Sequence, residues 1–154
     1  MTNLTTLKNR ILMAFVFAMI VIPIYGQDDP VPADMRAFFN AIQQVETGGE
    51  TDPSRAVGDN GKSLGWYQIQ RPYWIDATQF DRSIGGEYQD VTNRRYAERV
   101  MMAYFKRYAR EALAARDWER LARLHNGGPR GPDRRSTLEY WHKVQAALRS
   151  NSGD

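Results

Sequence analysis

Residues 61–69 read Gly61-Lys62-Ser63-Leu64-Gly65-Trp66-Tyr67-Gln68-Ile69. The apolar part of this stretch is too short for periodicity to separate a strand from a buried turn that leads into a helix. The residues before it, 51–63, are rich in Asp, Pro, Ser, Gly and Asn, which is typical of a loop. We therefore expect a Gly-rich insert at the centre of the chain.

Helical patterns flank this insert on both sides. Upstream, Phe38, Phe39, Ile42 and Val45 share one helical stripe, which should end at Glu46 because two glycines follow shortly after. Downstream we expect two further helices and a last one whose inward face includes Trp141. Helix N-caps are predicted at Asp34, Thr92, Asp117 and Ser136. The pattern predicts a mainly α protein with four to five helices around one aromatic-rich core.

The N-terminus has the pattern of a targeting segment. Lys8 and Arg10 precede twelve unbroken apolar residues, 11–22, and Pro23 follows at once. This run is shorter than the roughly 20 residues of a membrane span and is typical of a secretory signal. We predict a signal peptide over 1–26, a polar lead-in over 27–33, one domain over 34–149 and a disordered tail over 150–154. The mature protein should then be secreted or periplasmic, without a stable membrane span; an uncleaved anchor is the alternative.

Composition excludes several kinds of chemistry. The chain has 154 residues, no cysteine and two histidines, which rules out disulfide scaffolds, Cys-based zinc sites and thiol nucleophiles. We expect no metal and no other cofactor. Residues 27–93 carry 5 basic and 11 acidic side chains, and residues 94–149 carry 14 and 6. Because these charges nearly cancel in the mature chain, nucleic acid is not the expected partner.

A pair of carboxylates is the best candidate for chemistry. Glu46 lies where an apolar stripe ends, so its carboxyl group should be partly desolvated, which favours the protonated form that a general acid needs. Asp59 lies thirteen residues on, in a Gly-Asn turn that can hydrogen-bond an ionised carboxylate. Two carboxyl groups in such different environments are typical of glycoside hydrolysis. By spacing alone, however, most such pairs are ordinary surface residues.

Several segments in order resemble the invertebrate-type lysozymes, the destabilase family. They are Val-Glu-Thr-Gly at 45–48, the stretch 61–69, Pro-Tyr-Trp-Ile-Asp at 72–76, Tyr-Phe-Lys-Arg-Tyr-Ala at 104–109, and His-Asn-Gly-Gly-Pro-Arg-Gly at 125–131 followed by Thr137-Leu138-x-Tyr140-Trp141. The resemblance covers residues 38–148. It implies a lysozyme-like α+β fold in which the Gly-rich loop or a short β segment forms one wall of a cleft. It also implies a muramidase that cleaves β-1,4 bonds of peptidoglycan with retention, with Glu46 as general acid/base and Asp59 as nucleophile or stabiliser.

The chain departs from that family in two respects. Animal members are rich in disulfides, so this chain resembles a bacterial relative whose fold is held by packing alone. Asp59 also lies one residue closer to the Gly-aromatic segment than the family's second carboxylate, so Asp52 is the alternative.

The expected ligand is peptidoglycan or a chitin-type oligosaccharide, bound by a monomer with an antimicrobial or wall-remodelling role. The candidate sugar-binding residues are Ser63, Tyr67, Gln68, Tyr73, His125, Asn126 and Gly127. Aromatic faces stack on sugar rings but also fill cores, and we place Trp74 in the core. His125 has an alternative interpretation as a structural residue at a tight turn. Two other functions stay open: a lytic transglycosylase that needs Glu46 alone, and a non-catalytic module that only binds peptidoglycan or chitin oligomers.

Overall fold

The computed structural model describes residues 29–151. Within this range six α-helices are present: α1 (Arg36–Thr47), α2 (Arg71–Phe80), α3 (Arg94–Tyr108), α4 (Arg110–Ala115), α5 (Trp118–Gly127) and α6 (Leu138–Asn151). No helix between residues 29 and 151 has the length and apolarity needed to cross a membrane. The predicted signal peptide over 1–26 lies outside the described residues. The predicted tail begins too early, because α6 continues through Asn151.

The central insert folds as a small antiparallel sheet. Its strands are β1 (Val57–Gly58), β2 (Ser63–Leu64) and β3 (Ile69–Gln70), paired in that order. A turn over 65–68 joins β2 to β3, so the stretch 61–69 contains both short strands and a buried turn. Gly65 has a φ of +71°, and a Cβ atom there would lie 2.6 Å from the carbonyl oxygen of Val91. Both the backbone conformation and the close approach therefore require glycine at this position.

The core between the helices is aromatic, as the sequence predicts. α1 packs along α6, and α2 packs against α3. Phe38 and Phe39 of α1 meet Phe105 of α3, with ring centroids 6.4 and 6.2 Å apart. Tyr67, from the turn between β2 and β3, meets Phe39 edge-on at 6.0 Å. The sheet is thus joined to the same core as the long helices.

One carboxylate lies inside this core. Glu98 of α3 is 2% exposed. It accepts hydrogen bonds from Arg36 Nη1 at 2.6 Å, from Arg94 Nε at 3.1 Å and from the Tyr67 hydroxyl at 2.6 Å. Burial, together with the bond to Glu98, raises the pKa of Tyr67, which keeps that hydroxyl protonated. Because Arg36 belongs to α1 and Tyr67 to the β2–β3 turn, Glu98 holds both segments onto α3.

The helix starts correct some of the predicted caps. Asp117 caps α5 by accepting from the backbone N–H of Arg120, as predicted. α3, however, is capped by Asn93 and not by Thr92. Short 3-10 turns precede the first and last helices, so Asp34 and Ser136 cap neither of them. Each 3-10 turn places a few extra residues between the predicted cap and the first residue of the α-helix, which a simple cap pattern does not predict.

The last helix is rotated relative to the prediction. Tyr140, Val144 and Ala147 are its buried residues. Trp141 is only partly buried and packs against the edge of the core. The inward stripe therefore runs through Tyr140, and this rotation brings the hydroxyl of Tyr140 to Glu46 at the end of α1.

Candidate active site

A cleft of about 440 Å³ opens between the end of α1, the small sheet, the start of α2 and the end of α5. Each wall contributes polar side chains, and glycine and proline line the α5 end. The lining residues are Glu46, Asp59, Ser63, Gln68, Gln70, Pro72, Tyr73, Asp76, Tyr104, His125, Asn126, Gly127, Gly128, Pro129 and Arg134.

Glu46 lies in the last turn of α1, and its side chain is 18% exposed. The Tyr140 hydroxyl donates a hydrogen bond of 2.7 Å to its Oε1 atom. His125 Nε2 lies 3.5 Å from the same oxygen. The carboxyl group is therefore enclosed on one side by Tyr140 and His125 and lines the cleft.

His125 is buried near the C-terminal end of α5. Its Nδ1 atom lies 3.5 Å from the Tyr73 hydroxyl, and the Tyr73 ring stacks on that of Tyr104 at 3.6 Å. Burial raises the pKa of Tyr73, so its hydroxyl stays protonated. His125 is thus a helix-end residue, as its structural interpretation predicts, and it also lines the cleft beside Glu46.

Asp59 follows β1 in a left-handed conformation with a φ of +48°. Its Oδ2 atom accepts hydrogen bonds from Ser63 Oγ at 2.6 Å and from Gln70 Nε2 at 3.0 Å. The Ser63 hydroxyl, then the Gln70 amide, and more weakly the charge of Lys62, hold the pKa of Asp59 below its usual value. Asp59 is therefore a carboxylate at neutral pH.

The structure brings eight of the nine predicted site residues to this cleft. They are Glu46, Asp59, Ser63, Gln68, Tyr73, His125, Asn126 and Gly127. Tyr67 is the exception: it has no exposed surface, and its hydroxyl binds Glu98 in the core. The prediction that Tyr67 binds sugar is thus wrong, because its neighbour Gln68, with a φ of +47°, is the turn residue that lines the cleft.

Asp52, the alternative second carboxylate, does not line the cleft. Its side chain accepts from the backbone N–H of Ser54 at 3.1 Å and caps a 3-10 turn. This geometry is that of an ordinary turn residue.

Sequence reasoning missed several polar contributors to the site. Gln70 binds Asp59, Tyr140 binds Glu46, and Asp76 and Arg134 line the cleft. Tyr140 and Asp76 lie within segments that carry the resemblance, which is the signal that could have found them. Among residues 29–151 no three His, Asp or Glu side chains are grouped as a metal site would require.

A known family matches most of the chain. The Destabilase family model matches residues 37–147, which include Glu46 and Asp59. The chain belongs to the Destabilase family.

The relatives of this Destabilase chain include oyster lysozymes. It is 42% identical over 88 residues to Lysozyme 1 of Crassostrea virginica, a match that covers 56% of this chain and 46% of the relative. It is 33% identical over 109 residues to a lysozyme of Ostrea edulis, covering 71% of this chain and 77% of the relative. The chain therefore spans less than half of the first relative and about three quarters of the second.

Among solved structures, this Destabilase member is similar to the lysozyme of Tapes japonica. The TM-score is 0.58 with 31% identity, over 71% of this chain and 87% of that one. The lysozyme-like α+β fold expected from the resemblance is thus confirmed.

Proposed function

We propose that this protein is a lysozyme-type glycoside hydrolase that cleaves β-1,4 bonds of bacterial peptidoglycan. The observation that carries the proposal is the pairing, in one cleft, of a partly buried Glu46 with an exposed, hydrogen-bonded Asp59. Two carboxyl groups in unlike environments divide the roles of proton donor and negative charge. Similarity to lysozymes supports the same reaction class.

Glu46 acts first as the general acid. It protonates the oxygen of the leaving sugar while the bond to the anomeric carbon breaks, and it later removes a proton from the attacking water. Because Glu46 lies in the last turn of α1, its backbone is held in place by the helix. Its side chain is still partly exposed, so a bound sugar can reach the carboxyl group.

Asp59 stabilises the positive charge that develops on the sugar, or attacks the anomeric carbon as a nucleophile. Its low pKa suits either role, because both need the ionised form. The bonds from Ser63 and Gln70 hold the Oδ2 atom, which leaves Oδ1 for the substrate.

Peptidoglycan is the proposed substrate because of the charges along the cleft. Arg134 is the one arginine or lysine that lines it among the described residues, and none of the hydrogen bonds or ion pairs found there uses its guanidinium group. The peptide stems of peptidoglycan carry carboxylates that such a cation can bind, whereas chitin carries none. The stacked rings of Tyr73 and Tyr104 form part of the cleft wall.

We also propose that the protein is exported, with a mature N-terminus at or near Gln27, from the charged and apolar pattern of residues 8–23. Mass spectrometry of the protein recovered outside the cytoplasm tests this. Protein that still carries residues 1–26 would contradict cleavage.

The direct test of the acid is Glu46→Gln, which keeps the shape of the side chain and removes the transferable proton. Turnover of purified peptidoglycan should fall by at least about 100-fold, the lower end of a general acid–base contribution. Asp59→Asn should also lower turnover, whereas Asp52→Asn removes a carboxylate outside the cleft and serves as the matched control. Glu46→Gln turnover within a few-fold of wild type would overturn the assignment.

A further inference from the structure

The two carboxyl oxygens of Glu46 have different surroundings. Oε1 receives the Tyr140 hydroxyl at 2.7 Å and lies 3.5 Å from His125 Nε2. Within residues 29–151, Oε2 takes part in none of the hydrogen bonds found. Every buried side-chain oxygen or nitrogen in that range has a hydrogen-bond partner, so an oxygen without a partner must be accessible to solvent. Oε2 is therefore open to the cleft. One oxygen of the carboxyl group is held, and the other is free to meet a ligand.

His125 lies beside the same oxygen. Its Nε2 atom is 3.5 Å from Oε1 of Glu46, and this pair is not among the hydrogen bonds found in the described part of the chain. Its Nδ1 atom lies 3.5 Å from the Tyr73 hydroxyl. His125 therefore packs against Oε1, and the short bond from Tyr140 is the one that holds this oxygen.

Tyr140 is rigidly placed for this contact. Its side chain is 9% exposed, on the face of α6 that packs along α1, the helix that carries Glu46. Its hydroxyl makes one hydrogen bond among the described residues, to Glu46. Burial, and then the nearby Glu46 carboxylate, raise the pKa of Tyr140, so the hydroxyl keeps its proton and remains a donor.

We propose that Tyr140 is a positioning residue for the general acid, and that its hydroxyl occupies Oε1 of Glu46 and reserves Oε2 for proton exchange with the substrate. This inference rests on the proposed function, since it concerns the same carboxyl group. It goes further because it assigns the two oxygens of that group to different tasks.

The hydrogen bond from Tyr140 to Oε1 becomes stronger during the reaction. When the glycosidic C–O bond breaks, its electron pair passes to the leaving oxygen, which takes the proton from Oε2 and leaves Glu46 as a carboxylate. Hydrogen bonds to an ionised group are stronger than those to a neutral one. Tyr140 therefore stabilises the state after proton transfer more than the state before it, which lowers the barrier of the acid step.

The test is Tyr140→Phe, which keeps the buried ring and removes only the hydroxyl. On peptidoglycan the kcat should fall about tenfold, the usual effect of one hydrogen bond to a charged group, while KM stays within about twofold. Tyr96→Phe is the matched control, because its hydroxyl donates to the Gly85 carbonyl outside the cleft at 2.7 Å. That variant should keep wild-type kcat.

Two further measurements separate positioning from support of the fold. On an oligosaccharide with a 4-nitrophenyl leaving group, which departs without protonation, Tyr140→Phe should retain nearly the wild-type rate; this also confirms that the variant is folded. In the Glu46→Gln background, adding Tyr140→Phe should cause no further loss. A loss that persists on the nitrophenyl substrate, or that adds to Glu46→Gln, would overturn the inference.

Failure of the inference and failure of the proposed function give different results. Wild-type protein that cleaves no glycan would overturn the proposed function. An active wild type with an equally active Tyr140→Phe variant would overturn the positioning role alone.

Discussion

Glu98→Gln should lower the free energy of unfolding by about 3 kcal/mol. The Glu98 carboxylate takes four hydrogen bonds, of 2.6 and 3.3 Å from Arg36, 3.1 Å from Arg94 and 2.6 Å from Tyr67. Its loss leaves the guanidinium groups of Arg36 and Arg94 without their shared partner. Breaking a buried ion pair by removing one member costs about 3–5 kcal/mol. The arginine side chains are 28% and 35% exposed, so each can regain water, which places the expected cost at the lower end.

Urea unfolding followed by far-UV circular dichroism measures this effect. With a slope of about 1–3 kcal/mol per molar urea, typical of small proteins, the midpoint should fall by about 1–3 M. Glu139→Gln is the charge-matched control, because its pair with Lys143 lies at the surface of α6 and its removal should leave the midpoint unchanged. Equal midpoints for the two variants would refute the view that Glu98 joins α1 and the β2–β3 turn to α3.

Three other substitutions test the cleft and the turn beside it. Ser63→Ala removes the hydroxyl that contributes most to the low pKa of Asp59, so the pKa of Asp59 should rise. The acid limb of the pH–activity profile should then move to higher pH. An unmoved limb would show that ionisation of Asp59 does not limit turnover. Arg134→Gln should lower kcat/KM about fivefold on peptidoglycan fragments, as expected for an exposed ion pair, and leave neutral N-acetylglucosamine oligomers unaffected. Arg135→Gln is its control, and equal losses on both substrates would exclude a carboxylate contact. Gly65→Ala should cost at least about 1–2 kcal/mol of unfolding free energy, because alanine is strained at a φ of +71°; a wild-type melting temperature would contradict this.

Features that depend on neighbouring residues could be predicted from the sequence. The end of α1 beside Glu46 follows from the glycines after it, and the cap of α5 follows from Asp117. The left-handed turn that holds Asp59 follows from its position beside Asn60 and Gly61. Each of these features is set by the backbone preferences of adjacent residues, so a short sequence pattern predicts it.

Contacts between distant segments could not be predicted in the same way. Tyr140 and Glu46 are 94 residues apart, and the rotation of α6 that joins them depends on packing against α1. The sequence predicts both Tyr67 and its neighbour Gln68 as sugar-binding residues, yet Tyr67 lies in the core and Gln68 lines the cleft. An aromatic residue suits both environments, so only the folded turn distinguishes them. The buried carboxylate of Glu98 is likewise explained only by partners from three segments.

The products formed from purified peptidoglycan glycan strands test the central claim most directly. Mass spectrometry of a digest by the wild-type protein should show new reducing ends, each with the mass of one added water, and the Glu46→Gln variant should form them at least about 100-fold more slowly. This is the result of hydrolysis by an acid carboxyl group that works with Asp59. Products ending in 1,6-anhydro sugars would instead indicate a lytic transglycosylase that uses Glu46 alone. Intact strands would indicate a module that binds glycan without cleaving it.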